Sequence, residues 1–236
     1  MKLTRTALAL TAGALAPALL LATPSLASAA PAKASVTAPA SATLGSDTEN
    51  AFAIAKILAD PASGKAVIRE ANAALSGTPA DRVAFLTTGF AKAQDEDNLF
   101  AIAKILAGNP GTGVKRAAGK ALDGTPADRV AFFATGLARA QDEDNAFAIA
   151  KILATKPGPG VKRAAGKALD GTPADRAAFL KTGLRLAQAE DDRVDVARVL
   201  ARPGISDALR AEASRLLDGS TPEELRYFIT VGQYQL

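Results

Sequence analysis

The chain has 236 residues, of which 48% are apolar, 22% charged and 5% aromatic, with 28 basic against 24 acidic side chains. It contains no His, Cys or Trp, which excludes zinc sites built on His or Cys and the Ser-His-Asp and Cys-His nucleophile pairs. An enzyme here would have to work with carboxylates, Lys, Tyr, Ser or Thr.

The N-terminus has the order of a secretory signal. Lys2 and Arg5 precede the apolar stretch Ala7 to Ala22, and Ala27-Ser28-Ala29 offers a small-x-small cleavage site. Residues 1–29 are therefore expected to be removed and the protein to be secreted. A membrane anchor is the competing reading, but spanning takes about 20 apolar residues and Pro24 and Ser25 end this run early. No stable membrane insertion is expected after cleavage. Loss of Lys2 and Arg5 leaves 26 basic and 24 acidic residues, a net charge of +2. That balance argues against a nucleic-acid partner, which needs a concentrated basic face. Without cysteines an exported fold must rely on its core, and the remaining length is sufficient for one. Residues 30–46 are rich in Ala, Pro, Ser and Thr and read as a flexible leader.

From Asp47 the chain repeats. Gly77-Thr78-Pro79-Ala80-Asp81-Arg82 returns at Gly124 and again at Gly171, both steps being 47 residues, with a looser copy from Gly219 that carries Ser220 as an insertion. This period means stacked supersecondary units, here near 47–94, 95–141, 142–188 and 189–236. Each unit shows three helical patterns. Segment a (Ala51 to Ala59, and from Phe100 and Phe147) is apolar nearly all round, which predicts burial on most sides. Segment b (Val114 to Leu122) places Val114, Ala117, Ala118, Ala121 and Leu122 on one stripe. Segment c opens on Thr125-Pro126, with Asp128 completing a capping box, and its stripe is Val130, Phe133, Leu137 and Ala140. It is expected to run about 16 residues.

Within segment c a Phe is followed four residues later by Gly in every unit: Phe85/Gly89, Phe132/Gly136, Phe179/Gly183 and Phe228/Gly232. Mid-helix glycine costs about 1 kcal/mol relative to alanine. Close approach of a neighbouring backbone is the expected reason, and Gly136→Leu is expected to overpack.

The string from Ala117 through Gly124-Thr125-Pro126 to Phe132-Phe133-Ala134-Thr135-Gly136 resembles the ALF repeat, and Ala213 to Gly219 with Tyr227 to Tyr234 is similar to it as well. The resemblance covers essentially all of 47–236. It implies an alanine-rich, exported helical repeat protein of the kind found in actinobacteria. No enzymatic activity is assigned to such repeats, a signalling role has only been suggested, and no catalytic residues carry over.

Three patterns invite a chemical reading. The acidic tracts Asp95-Glu96-Asp97-Asn98 and Asp142-Glu143-Asp144-Asn145, with Glu190-Asp191-Asp192, offer oxygens for calcium. They lack EF-hand spacing, and the plainer reading is that Asp97 or Asn98 caps segment a at a helix junction. The loop Gly108-Asn109-Pro110-Gly111-Thr112-Gly113-Val114-Lys115 has the flavour of a phosphate cradle, but its Lys is out of place for a P-loop. It reads as a helix breaker. The pairs Lys115-Arg116 and Lys162-Arg163 form a short basic ridge that either binds a polyanion or makes ion pairs of little individual worth. A glycosidase carboxylate pair lacks aromatic walls, since the Phe residues read as core. No catalytic, cofactor or metal site is expected.

The expected fold is all-α: four units of about three helices each, in a short solenoid or compact helical array. The expected function is a non-catalytic extracellular interaction module whose partner is a protein or a cell-wall component. A spacer without a specific ligand is the runner-up, and a wall-directed hydrolase comes last.

Overall fold

The computed structural model describes residues 45–236. The signal and nearly all of the leader fall outside this range. Among the described residues the chain forms nine helices and no strand. In chain order these are α1 (Asp47–Ala59), α2 (Lys65–Ser76), α3 (79–107), α4 (Thr112–Asp123), α5 (126–154), α6 (Pro159–Asp170), α7 (173–200), α8 (Asp207–Asp218) and α9 (Pro222–Thr230). A short 3₁₀ turn, Gly232–Tyr234, follows.

The repeat motif starts helices as its residues dictate. Thr78, Thr125, Thr172 and Thr221 each accept the N–H three residues on. The Asp or Glu at that position bonds back to the Thr backbone, with Pro in the first turn. Ser46, the last residue of the expected leader, does the same for α1 with Glu49.

Segments c and a are not separate helices. Segment c of each of the first three units runs without a break into segment a of the next unit, giving α3, α5 and α7. Such a helix is about 43 Å long at 1.5 Å per residue. The acidic tracts therefore lie within these long helices and not at junctions, and they cap no segment a. No breaker separates the two patterns, so helical hydrogen bonding simply continues.

Each long helix contains one π turn, at Phe85–Gly89, Phe132–Gly136 and Phe179–Gly183. The Phe/Gly pair marks the first and last residues of this turn. The N–H of Phe90 bonds to the carbonyl of Phe85, five residues back. One extra residue in the turn shifts the apolar stripe. Phe132 is buried, Phe133 only partly so, and Val130 lies exposed, which corrects the stripe expected from an unbroken 3.6-residue period. The glycine does not meet a neighbouring backbone. A Cβ on Gly136 would lie 3.4 Å from the Phe132 ring, and on Gly89 it would lie 3.2 Å from the Phe85 ring. The nearest group is the aromatic partner one turn earlier, in ordinary contact at Gly136 and tight at Gly89.

Segment b behaves as its stripe predicts, with Val114, Ala118 and Ala121 buried. In segment a one face alone is buried. Ile54, Ile102 and Ile149 are fully enclosed, while Phe52, Phe100 and Phe147 are 66–68% exposed. Segment a packs on its own unit's segments b and c, and its far side, which carries these Phe residues, meets solvent. The buried residues form four separate clusters, one per unit, centred on Ile54, Ile102, Ile149 and Val196. The units are thus joined by continuous helices and polar contacts, and not by one uninterrupted apolar core.

Candidate functional site

The acidic tract is the joint between units, and its carboxylates face in two directions. Asp97 looks back: its oxygens accept the N–H groups of Ala66 and Val67 at 2.9 and 3.0 Å, at the start of α2. Asp144 does the same for Gly113 and Val114 (2.7 and 3.0 Å), and Asp191 for Gly160 and Val161 (2.7 and 3.0 Å). The N-cap residues Gly64, Gly111 and Gly158 have no side chain to offer. A carboxylate some thirty residues away satisfies these N–H groups at the positive end of the helix. The glycine-rich loop is thus an oxyanion cradle, and the anion is the protein's own Asp144. A Cβ on Gly111 would collide with that carboxylate, and one on Gly113 would stand 2.8 Å from the Ala140 carbonyl. The glycines admit this close approach. The loop's composition hints at a cradle, but its anion lies on a tract far along the chain that only the fold brings to it.

Asp95 looks forward. Arg129 holds it through Nε and Nη2 at 2.6 and 2.8 Å, while its Nη1 donates to the carbonyls of Ala121 and Gly124 at the end of α4. Arg82 with Asp47 and Arg176 with Asp142 repeat the arrangement. One guanidinium therefore closes the negative end of a segment-b helix and ties it to the preceding segment a. Its Asp partner is the main reason why each of the three arginines is held above its ordinary pKa. The sequence alone assigns no role to the Arg of the repeated motif. Its partner lies 34 or 35 residues earlier and only the fold brings the two together.

The fourth unit changes this joint. Leu225 stands where Arg129 and Arg176 stand, Ala189 replaces Asp95 and Asp142, and both are buried in one cluster. Arg226, one position on, reaches Asp192, which takes the place of Asn98 and Asn145. Asp192 is 1% exposed. Its Oδ1 pairs with the Arg226 guanidinium at 3.0 Å and accepts from Gln188 (3.2 Å), and its Oδ2 is buried with no hydrogen-bond partner. Burial pushes its pKa above the usual carboxylate value, against the opposing pull of Arg226.

The two arginines of the basic ridge are tied into ion pairs. Arg116 meets Glu143 at 2.5 Å, Arg163 meets Glu190 at 2.7 Å, and Lys115 donates to Asn109 at 2.6 Å. The arginines stay about 70% exposed, so these contacts add little stability. No group of three or more acidic side chains among the described residues is arranged to hold a metal ion, and no described helix is long and apolar enough to cross a membrane.

The outer surface carries large aromatic side chains that the apolar pattern of segment a assigns to the core. Phe52, Phe100 and Phe147 occupy the same position in three successive units, with Val194 (50% exposed) in the fourth. Two of these rings have a Glu one turn before and a Lys one turn after: Glu96 and Lys104 about Phe100, Glu143 and Lys151 about Phe147. The Lys151 ammonium is 6.0 Å from the Phe147 centroid. These Phe residues were expected in the core because their stripe is apolar on every side.

Fold and surface together define an all-α tandem repeat protein whose units are linked by shared helices. The ALF family, short repeats of unknown function, matches residues 52–93, 100–140, 147–187 and 193–235. The chain belongs to this family. No curated protein matches it.

Proposed function

We propose that this protein is a secreted, non-catalytic interaction module that holds a protein partner outside the cell on the exposed phenylalanine positions of its repeats. The observation that carries this reading is the recurrence of Phe52, Phe100 and Phe147 at one surface position, each about two-thirds exposed. A scattered exposed apolar residue needs no explanation. A large ring placed outward unit after unit has no packing role in the fold and belongs to the residue class that anchors interfaces. Flanking Glu and Lys supply a polar rim of both signs. Export rests on Lys2, Arg5, the apolar stretch and Ala27-Ser28-Ala29.

Cross-linking on intact cells tests both parts. N-terminal sequencing of the secreted chain should begin at Ala30. The wild type should capture a defined protein neighbour, and Phe52→Ser/Phe100→Ser/Phe147→Ser should lose it with an unchanged melting temperature. Capture that survives the triple substitution removes the phenylalanine face from the reading. Absence of any specific neighbour favours a spacer without a ligand.

A further inference from the structure

The repeats differ from one another at a second place on the surface. At the boundary of the third and fourth units an open cleft of about 530 Å³ is lined by Lys181, Arg185, Gln188 and Arg226 over Ile152, Val161, Leu180 and Leu184. That volume falls within the range of small-molecule sites. Its three cations are peculiar to this boundary. The positions of Lys181, Arg185 and Arg226 are Ala134, Ala138 and Ala177 one unit earlier, and Thr87, Ala91 and Val130 one unit before that. Small or apolar residues at the two earlier boundaries are thus matched by three cations on this cleft. Leu180 replaces the bulkier Phe133 on its apolar wall.

Two of the cations are held in place before any ligand arrives. Glu223 grips Arg185 through Nε and Nη2 at 2.5 and 2.7 Å, leaving Nη1 without a partner among the described residues. Asp192 takes one nitrogen, Nη2, of Arg226 from beneath. Lys181 makes no ion pair among the described residues and is exposed at the rim. The cleft holds three cations against two carboxylates, and the unpaired Oδ2 of Asp192 is buried away from solvent. Fixed guanidinium donors lose little freedom on binding, and donors on three different side chains suit a tetrahedral oxyanion better than a planar one.

We propose that this cleft binds a phosphorylated amphiphile, its phosphate held by Lys181, Arg185 and Arg226 and its apolar body lying along Leu180, Leu184 and Val161. The site is separate from the phenylalanine face, and neither depends on the other.

The test is titration calorimetry of the full secreted chain with octyl phosphate, with inorganic phosphate alongside. The variant is Lys181→Ala/Arg185→Ala, which installs residues that the second unit already carries. Octyl phosphate should bind saturably and more tightly than inorganic phosphate. The variant should weaken it by about tenfold or more with an unchanged melting temperature, while Lys115→Ala/Arg116→Ala on the ridge should leave it unaltered. Co-sedimentation with phosphatidylglycerol vesicles, lost in the same variant, would assign the phosphate to a lipid headgroup. Octyl phosphate binding without vesicle binding would assign it to a soluble ester. No saturable heat with octyl phosphate, or equal binding by the Lys181→Ala/Arg185→Ala variant, overturns the proposal.

Discussion

Arg129 holds Asp95 with two nitrogens and ties the end of the second unit to its start, and in the fourth unit the same two positions are Leu225 and Ala189. The protein thus contains two solutions to one packing problem. A largely buried ion pair is costly to break from one side but is often replaceable by apolar side chains. Asp95→Ala and Arg129→Leu, made singly, should each lower the melting temperature by roughly 5 °C. Combined, they should recover more than half of the sum of those losses. Additive losses in the double variant would show that the pair does not act as a unit.

Asp144 and Gly111 should show a change of sign. Asp144→Ala removes the cap of α4 and should cost about 1 kcal/mol. Gly111→Ser puts a side chain where the Asp144 carboxylate lies and should also destabilise. In the Asp144→Ala background the same serine has room to cap α4 locally, as Ser206 caps α8 through the N–H of Leu209 at 3.1 Å. Chemical denaturation of the four proteins checks this. A serine that destabilises equally in both backgrounds refutes it.

Gly136→Ala should be neutral or stabilising, by up to about 1 kcal/mol. The added methyl meets the Phe132 ring at an ordinary 3.4 Å, and helix propensity favours alanine. Gly89→Ala should gain less, because its methyl stands 3.2 Å from the Phe85 ring. Melting curves of the two variants decide the order.

Stability should depend on pH in two opposite ways. Asp81, Asp128 and Asp175 are held below the usual carboxylate value, first by the hydroxyls of Thr78, Thr125 and Thr172 and then by the N–H groups of those residues. Their contribution is present above the unfolded pKa, about 3.9, and is lost as pH falls through the lower folded value. Asp192 runs the other way. Its folded pKa is raised by burial, so stability falls as pH rises from the unfolded value to the folded one. Asp192→Asn, which restores the residue type of Asn98 and Asn145, should therefore help more at pH 8 than at pH 3. Denaturation midpoints at the two pH values measure the difference, and an equal effect at both would show that Asp192 does not titrate as its burial requires.

The repeat, its period, the capping boxes and the stripe of segment b were all legible in the chain, because each depends on residues within a few positions of one another. Helix type and helix starts are local matters of hydrogen bonding and side-chain geometry. The π turn left a trace as the Phe/Gly pair, but its consequence, a stripe displaced from Phe133 to Phe132, follows from an inserted residue that a 3.6-residue period does not contain.

Contacts between distant positions were decided only by the tertiary structure. Whether the acidic tract is a break or the middle of a helix depends on what its carboxylates meet, and Asp144 meets amides 30 and 31 residues earlier in the chain. An apolar Phe on an apolar helix is core or surface according to how many neighbours surround that helix. Segment a has too few to cover Phe52, Phe100 and Phe147. The cations at Lys181, Arg185 and Arg226 are spread over 45 residues, and they share one cleft because two units fold against each other there. Sequence specifies local geometry directly, whereas the partners of an outward-facing group are set by chain segments that pattern alone does not bring together.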